Sequence, residues 1–357
     1  MSSEPLDARR LHVVTPSLGR KFSGINASML AVFPELARRV SIAALGFHIP
    51  DGVARIGFIE FCRSRRRGTW LIWHARRNVE MLAGLLLKKI LRYRLILLFT
   101  SAAQRTHSWI TRFYYRRMDA IIATTTAAAS ALEREAVVVA HGVNTERFSP
   151  PDDRAAAWAK LGLPGCHGIG ILGRVRPQKG TGEFVEAMVR VLPLRPDWTA
   201  VIVGQTTGEY RIFEQHLRGK ISDAGLTKRV HFTGFLKDSS VVPDWYRALS
   251  VVICASRTEG FGLSCLEAMA SGCAVVATRA GAWPELITDG EDGYLVPCND
   301  VSALADALLK MTGDPTMASR MGVAGRNKAL SRYRIQNEAD GIIAVYRRLL
   351  VEKGIRL

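Results

Sequence analysis

Short, wholly apolar runs separated by longer amphipathic stretches constrain this chain more than any other feature. In the second half they are Gly168–Leu172, Ala200–Val203, Ser250–Ala255 and Cys273–Ala277. These four lack the apolar–polar alternation of a strand with one wet face, so they predict strands buried on both sides, as in a parallel sheet, and the alternating Val230–Gly234 predicts a further strand. The stretches between them supply right-handed helical crossovers. The first half repeats the pattern, with strands expected at Leu11–Thr15, 40–45, 69–73, Leu95–Phe99, Ala120–Ala123 and Ala136–Ala140, and helices at 25–40, 79–93 and 107–118. The expected class is therefore α/β with doubly wound parallel sheets. A length of 357 residues exceeds one typical domain. The Gly, Asn and tandem Pro of His141–Pro151 mark the boundary between them. The domains are expected at 1–148 and 149–334, with a last amphipathic helix over 335–357.

Two turns carry the candidate chemistry. Glu259-Gly-Phe-Gly-Leu-Ser-Cys-Leu-Glu267 puts one carboxylate in a glycine-bearing turn at a strand's carboxyl end and the second inside the next helix, which stops at Gly272. Open α/β sheets bind ligands at such strand ends. Gly260 and Gly262 let a ligand approach the backbone, and the N–H groups of Phe261, Gly262 and Leu263 lie at a helix start. The other turn, Gly173-Arg-Val-Arg-Pro-Gln-Lys-Gly180, sets Arg174 and Lys179 between a strand end and a helix beginning near Thr181. Two cations beside free N–H donors suit a diphosphate; Arg176 is a weaker candidate. Neither the Walker spacing nor a Gly-x-Gly-x-x-Gly fingerprint after the first strand is present.

With Gly204, Val230-His-Phe-Thr-Gly234 and Gly281-Ala-Trp-Pro-Glu285, these turns resemble, in order and spacing over about 140–300, the retaining family-four glycosyltransferases. Phe99–Arg105 and Trp73–Asn78 are similar to segments of bacterial lipopolysaccharide-core mannosyltransferases. The resemblance implies a GT-B fold: two Rossmann-like domains facing a cleft, with the last helix crossing back to the first domain. It implies that Glu267 holds the donor's ribose and Glu259 its hexose, with Arg174 and Lys179 on the leaving diphosphate. Gly173, Gly204, Gly234 and the Gly19–Gly24 loop would line the donor. Relatives place a histidine near the hexose. Here Thr100 and Ser101 follow the strand instead, and either His107, as a catalytic candidate, or His74 could take that place. Arg76, Asn78 and Arg105, with His74, are candidate acceptor contacts.

The resemblance also implies α-mannosyl transfer from GDP-mannose to an anionic lipopolysaccharide inner-core acceptor, with no cofactor. A UDP-hexose donor for exopolysaccharide or glycolipid synthesis stays open. No Asp-x-Asp metal motif is present. Glu291-Asp292 and Asp152-Asp153 are the nearest approaches, both in turn-like sequence, so metal ligands are expected to be none.

Net charge is +17, and residues 1–150 carry 23 Lys/Arg against 10 Asp/Glu. That half is expected to meet something anionic: a membrane leaflet, a phosphorylated acceptor or nucleic acid. Nucleic-acid binding would explain the charge but neither turn, so no nucleic acid is expected. Arg63-Ser-Arg-Arg-Arg67, beside Phe58, Phe61 and Trp70, is the expected membrane contact. The six cysteines show no paired spacing, and the first residues hold no apolar signal core. A cytoplasmic protein, peripheral at the inner face of the membrane, is expected.

Overall fold

The chain builds two all-parallel six-stranded sheets, one from each half, and its last helix belongs with the first. The computed structural model describes residues 10–20, 23–65 and 69–355. The first unit runs through Gly142 and takes back Ile335 onward, while the second is Val143–Arg334. The chain thus crosses six residues earlier than the expected boundary at 148.

In the first unit β1 (Val13–Ser17), α1 (Gly24–Ala37), β2 (Ile42–Gly46), α2 (Phe58–Arg65), β3 (Leu71–Ala75) and α3 (Asn78–Lys89) come first. Then follow β4 (Leu95–Ser101), α4 (Trp109–Tyr115), β5 (Ala120–Ala123), α5 (Thr126–Ser130) and β6 (Val137–Val138). The sheet order is β2-β1-β3-β4-β5-β6. Strands β1, β3, β4 and β5 are buried along almost their whole length, which is why their sequences are nearly all apolar. The run expected over Ala136–Ala140 keeps only a two-residue ladder, because it is an edge with one neighbour, β5. The helix expected to reach Tyr93 ends at Lys89, and Arg92 turns the chain at φ 54°.

The second unit holds α6 (Arg154–Ala159), β7 (His167–Leu172), α7 (Thr181–Val191), β8 (Trp198–Val203), α8 (Arg211–Asp223), β9 (Val230–Gly234) and α9 (Val242–Ala248). It continues with β10 (Val251–Cys254), α10 (Leu263–Ala270), β11 (Ala274–Thr278), α11 (Trp283–Leu286), β12 (Tyr294–Val296), α12 (Val301–Gly313) and α13 (Pro315–Arg332). Its order is β12-β11-β10-β7-β8-β9. Local sequence sets many of the helix starts. Asp153, Asp300 and Asp314 accept N–H bonds at the starts of α6, α12 and α13, and Pro315 stands at the first turn of α13.

Helix α14 (Ile335–Val351) is amphipathic and sinks Ile335, Ala339, Ile342, Ile343, Tyr346, Leu349 and Leu350 into the first unit's core. At about 1.5–3 kcal/mol for each large apolar side chain buried, this face fixes it there. Glu338, on its first turn, accepts from the Gly142 N–H at 2.8 Å and meets His141 Nδ1 at 2.7 Å. The Val143 N–H donates to Tyr333 at 2.8 Å, so the outgoing and returning segments pair beside their crossing.

Candidate functional site

In each sheet the chain starts at an interior strand and builds outward in both directions. The crevice beyond that strand's carboxyl end is where such sheets take ligands. In the second unit the two strands flanking it are β7 and β10. Their loops are Gly173–Gly180 and Ser256–Gly262, which are the two turns singled out from the sequence.

These loops are laced together. The Arg257 N–H donates to the Gln178 carbonyl at 2.9 Å, and Gln178 Nε2 donates to Thr258 Oγ1 at 2.9 Å. Arg257 also bonds Glu183, on the first turn of α7, at 2.8 Å. Gly180 adopts φ 73°, and a Cβ there would overlap the Ala255 carbonyl. Only glycine allows both the left-handed turn and that approach. The lacing brings Lys179 Nζ into an ion pair with Glu259, whose carboxylate also accepts from Ser256 Oγ at 3.2 Å and the Gly260 N–H at 3.3 Å. The pair is partly exposed, with Glu259 at 19% and Lys179 at 26%. Such a pair contributes only about 0–1 kcal/mol to folding, so it can be broken by a ligand at little cost. Arg174 is exposed and carries no hydrogen bond or ion pair among the described residues. Arg176 is half-buried, with its Nε unpartnered.

The turn after Glu259 is held from behind. Gly262 lies at φ 84°, directly over Trp283, whose Nε1–H donates to the Gly262 carbonyl at 3.1 Å. This fixes the start of α10, where Gly262 offers no side chain to cap the free N–H groups. Phe261 is buried and Leu263 half-buried. One turn into α10, Glu267 accepts from the Tyr246 hydroxyl at 2.8 Å. Burial pushes the Glu267 carboxyl up, while the Tyr246 bond and the Arg147 charge pull it down. Gly173, Gly204 and Gly234 complete the rim. The Gly173 N–H donates to Val203 at 2.9 Å, Gly204 packs on the Gly173 carbonyl, and its N–H donates to Thr233 Oγ1 at 3.2 Å.

The unit thus offers two cations and two half-buried carboxylates around one strand-end crevice. Cations at a strand–helix turn can hold phosphate oxygens, and carboxylates can accept from sugar hydroxyls. Among the described residues no group of three or more His, Cys, Asp or Glu side chains is placed to hold a metal. Asp153 is spent capping α6, and Asp292 accepts the Thr288 N–H at 2.8 Å and pairs with Lys328.

The remaining candidates belong to the first unit, whose crevice lies beyond β1 and β3. Gly19 packs directly against the Arg77 guanidinium. That guanidinium donates to Ser23 Oγ at 2.7 Å and also bonds Asn26. Arg76 donates to Thr15 Oγ1 at 2.9 Å, and Asn78 Nδ2 to Thr111 Oγ1 at 2.8 Å. Arg105 is exposed. His107 is half-buried, 3.2 Å from Ser101 Oγ and edge-on to Tyr115; burial and the Arg105 charge hold its pKa below the usual histidine value.

His74 needs correcting. It is fully buried, with Nδ1 2.6 Å from the Tyr346 hydroxyl and Nε2 2.6 Å from Thr100 Oγ1. Both ring nitrogens are engaged, so it ties β3, β4 and α14 together and presents nothing to an acceptor. Strand β4 also runs on through Thr100 and Ser101, two residues past its expected end. Of the basic cluster, Arg66 and Arg67 and the side chain of Arg65 lie outside the described residues, as do Lys21 and Phe22 of the first loop. Phe61 is no surface anchor: it is fully buried against Trp73 and Tyr93. Trp70 is partly buried, with Lys353 5.0 Å from its ring.

Several working residues were not legible beforehand. Tyr246 and Ser256 carry no local signal. Trp283 lay within a quoted turn without a role. Glu80 has a role that only the fold reveals: its buried carboxylate accepts the N–H groups of Leu18 at 3.3 Å, Arg76 at 2.8 Å and Arg77 at 3.1 Å.

Two Rossmann-like units, with cations and carboxylates at the switch point of the second, define a GT-B glycosyltransferase. The glycosyl transferases group 1 family matches residues 166–314. The chain is 39% identical over 352 residues to the lipopolysaccharide core biosynthesis mannosyltransferase LpsB of Rhizobium meliloti (strain 1021), covering 97% of this chain and 99% of that one. It is 40% identical over 352 residues to the lipopolysaccharide core biosynthesis mannosyltransferase LpcC of Rhizobium leguminosarum bv. viciae, covering 96% and 98%. Among solved structures, Anabaena Alr3699/HepE in complex with UDP superposes with a TM-score of 0.81 over 94% of this chain and 99% of that one, at 19% identity, a likeness of fold alone. The chain belongs to the group 1 glycosyltransferase family and is a glycosyltransferase enzyme.

Proposed function

We propose that this enzyme transfers an α-mannosyl unit from GDP-mannose, with retention, to an anionic inner-core acceptor of lipopolysaccharide. Near-full-length likeness to two lipopolysaccharide core mannosyltransferases supports the sugar and the acceptor class. The observation that carries the chemistry is the Lys179–Glu259 pair, held by two laced loops at the crevice beside an uncommitted Arg174.

On this reading Lys179 and Arg174 take the donor diphosphate. Lys179 is then drawn off Glu259, which frees that carboxylate for hexose hydroxyls, and the N–H groups of Phe261 and Gly262 add donors. Glu267, oriented by Tyr246, accepts from the ribose diol. The bond from the anomeric carbon to the donor phosphate oxygen breaks. The acceptor oxygen attacks from the same face, and its proton passes to the departing phosphate oxygen. These two cations stabilise the charge that grows there, which is electrostatic catalysis without a metal motif. The basic first half meets the anionic acceptor and the membrane that carries it. Among the described residues no helix is long and apolar enough to cross a membrane, and a peripheral contact at the inner face is proposed.

The test is transfer from radiolabelled GDP-mannose to lipopolysaccharide truncated at the inner core. Unlabelled GDP-mannose and UDP-hexoses compete, with and without EDTA, and the product anomer is read by NMR. An α-linked product, competition by GDP-mannose alone and a rate changed less than about twofold by EDTA are expected. Competition by UDP-hexoses, or a rate abolished by EDTA and restored by manganese, would overturn the donor or the metal-free part.

A further inference from the structure

We propose that the joined outer faces of α3 and α4 form the surface by which this enzyme docks on an anionic phospholipid bilayer. The proposal deepens the membrane part of the reading above and is independent of the donor.

Helix α3 turns an unusual stripe outward. Val79, Leu86 and Ile90 are 48%, 46% and 69% exposed, with Leu82 between them at 37%. Spacings of three and four residues set these side chains on one face, along about 16 Å of helix. Helix α4 lies beside it, joined by the Asn78–Thr111 hydrogen bond. It exposes Trp109 at 71%, Ile110 at 41% and Phe113 at 47%. Single exposed apolar residues need no explanation, but a run of this size over two adjoining helices does.

Charge selects the occupant. Arg112, Arg116 and Arg117 flank the aromatics, with the Arg117 guanidinium 3.5 Å over the Phe113 ring. Glu133 pairs with Arg112 and Arg116, so three arginines face one carboxylate. Trp109, Phe113 and these arginines enclose a shallow hollow of about 390 Å³, a setting of guanidinium and aromatic groups that suits a phosphate headgroup. At the far end of the stripe Lys89 and Arg92 are exposed. Asp119 pairs with Lys88, and α3's own acid, Glu80, is buried. A second copy of the chain would bring arginine against arginine. An anionic bilayer meets the cations with its headgroups and the stripe with its acyl boundary.

Flotation of the full-length protein on vesicles free of any acceptor tests this. One set contains about one-third phosphatidylglycerol and the other is wholly phosphatidylcholine, each at low and high salt. The wild type is expected to float with the anionic set at low salt and to lose part of that binding as salt screens the headgroups. Trp109→Glu, and separately Leu86→Glu with Ile90→Glu, should each cut the partition constant about tenfold or more. Their circular-dichroism melts should match the wild type. Bromine-labelled acyl chains should quench wild-type tryptophan fluorescence, and Trp109→Phe should remove most of that quenching. Failure of the wild type to float would overturn the membrane reading itself. Wild-type flotation that both acidic variants keep, or that only Phe58→Glu/Ile59→Glu on α2 abolishes, would overturn this surface. So would a wild-type dimer in sedimentation that Trp109→Glu dissociates.

Discussion

Beyond the switch point of each sheet, an acidic side chain ties two neighbouring loops, and the two units use it in opposite ways. In the first, Glu80 is 1% exposed and saturated by the backbone N–H groups of Leu18, Arg76 and Arg77, with the Arg77 guanidinium 3.9 Å away. Burial pushes its carboxyl up, and those N–H groups and charges pull it back. In the second, Glu259 is paired but wet, and its partner Lys179 can swing to another anion. One topology therefore yields a sealed strut on one side and an exchangeable pair on the other. Burial makes the difference: a charge taken fully from water must be satisfied permanently, whereas a half-exposed one can trade partners.

The largest expected effect breaks the strut. Glu80→Ala leaves the N–H groups of Leu18, Arg76 and Arg77 without their acceptor and should destabilise the first unit by about 3 kcal/mol. Glu259→Ala should cost the second unit about 1 kcal/mol or less. Denaturant melts of both variants check this, and equal losses would erase the distinction.

Turnover should respond the other way round. Lys179→Ala or Arg174→Ala should lower kcat by about 100- to 1000-fold, as for loss of one transition-state donor, with melting unchanged. Near-normal rates in both would remove these cations from the site.

Within the second unit the two glutamates can be separated. Glu267→Ala should weaken GDP binding by about tenfold, the loss of roughly one charge-assisted hydrogen bond. Tyr246→Phe should do so by less, while Glu259→Ala should leave affinity nearly intact and impair transfer. Calorimetry with GDP decides, and equal losses from Glu259→Ala and Glu267→Ala would contradict the division of roles.

The smallest effect returns to the first unit. Burial, then the Arg76 charge, holds the His74 pKa well below its ordinary 6.5. The unfolded chain therefore binds a proton that the folded one refuses. Stability is present above pH 6.5 and falls as pH drops below it. Between about pH 7.5 and 5.5 His74 alone should remove about 1.4 kcal/mol. His74→Gln should flatten that part of the stability–pH curve, and an unchanged slope would show that His74 does not carry it.

Much of this enzyme was legible in one dimension because its signals are local. Buried parallel strands need apolar runs on both faces, so Gly168–Leu172 and Ser250–Ala255 announced themselves. Gly180 and Gly262 were visible because a left-handed turn packed against a neighbouring backbone or ring accepts little else. Arg174, Lys179 and Glu259 were legible for the same reason: each stands in a strand-end turn that the sequence marks, and Glu267 follows inside the helix that the second turn opens.

Tertiary structure alone decided what each group does with its charge. His74 and His107 looked equivalent in sequence. Tyr346, 272 positions away, and Thr100, 26 away, engage the first at both nitrogens, while the second is left half-buried. Glu80 and Glu259 are both acids just past a strand, and only packing seals one and wets the other. The exposed stripe of α3 reads in sequence only as an apolar helix over 79–93. Among the described residues no element covers Leu86 and Ile90, which are 46% and 69% exposed. Backbone geometry follows from neighbours in sequence, but solvation follows from neighbours in space, and the chemistry of an ionisable or apolar side chain is set by its solvation.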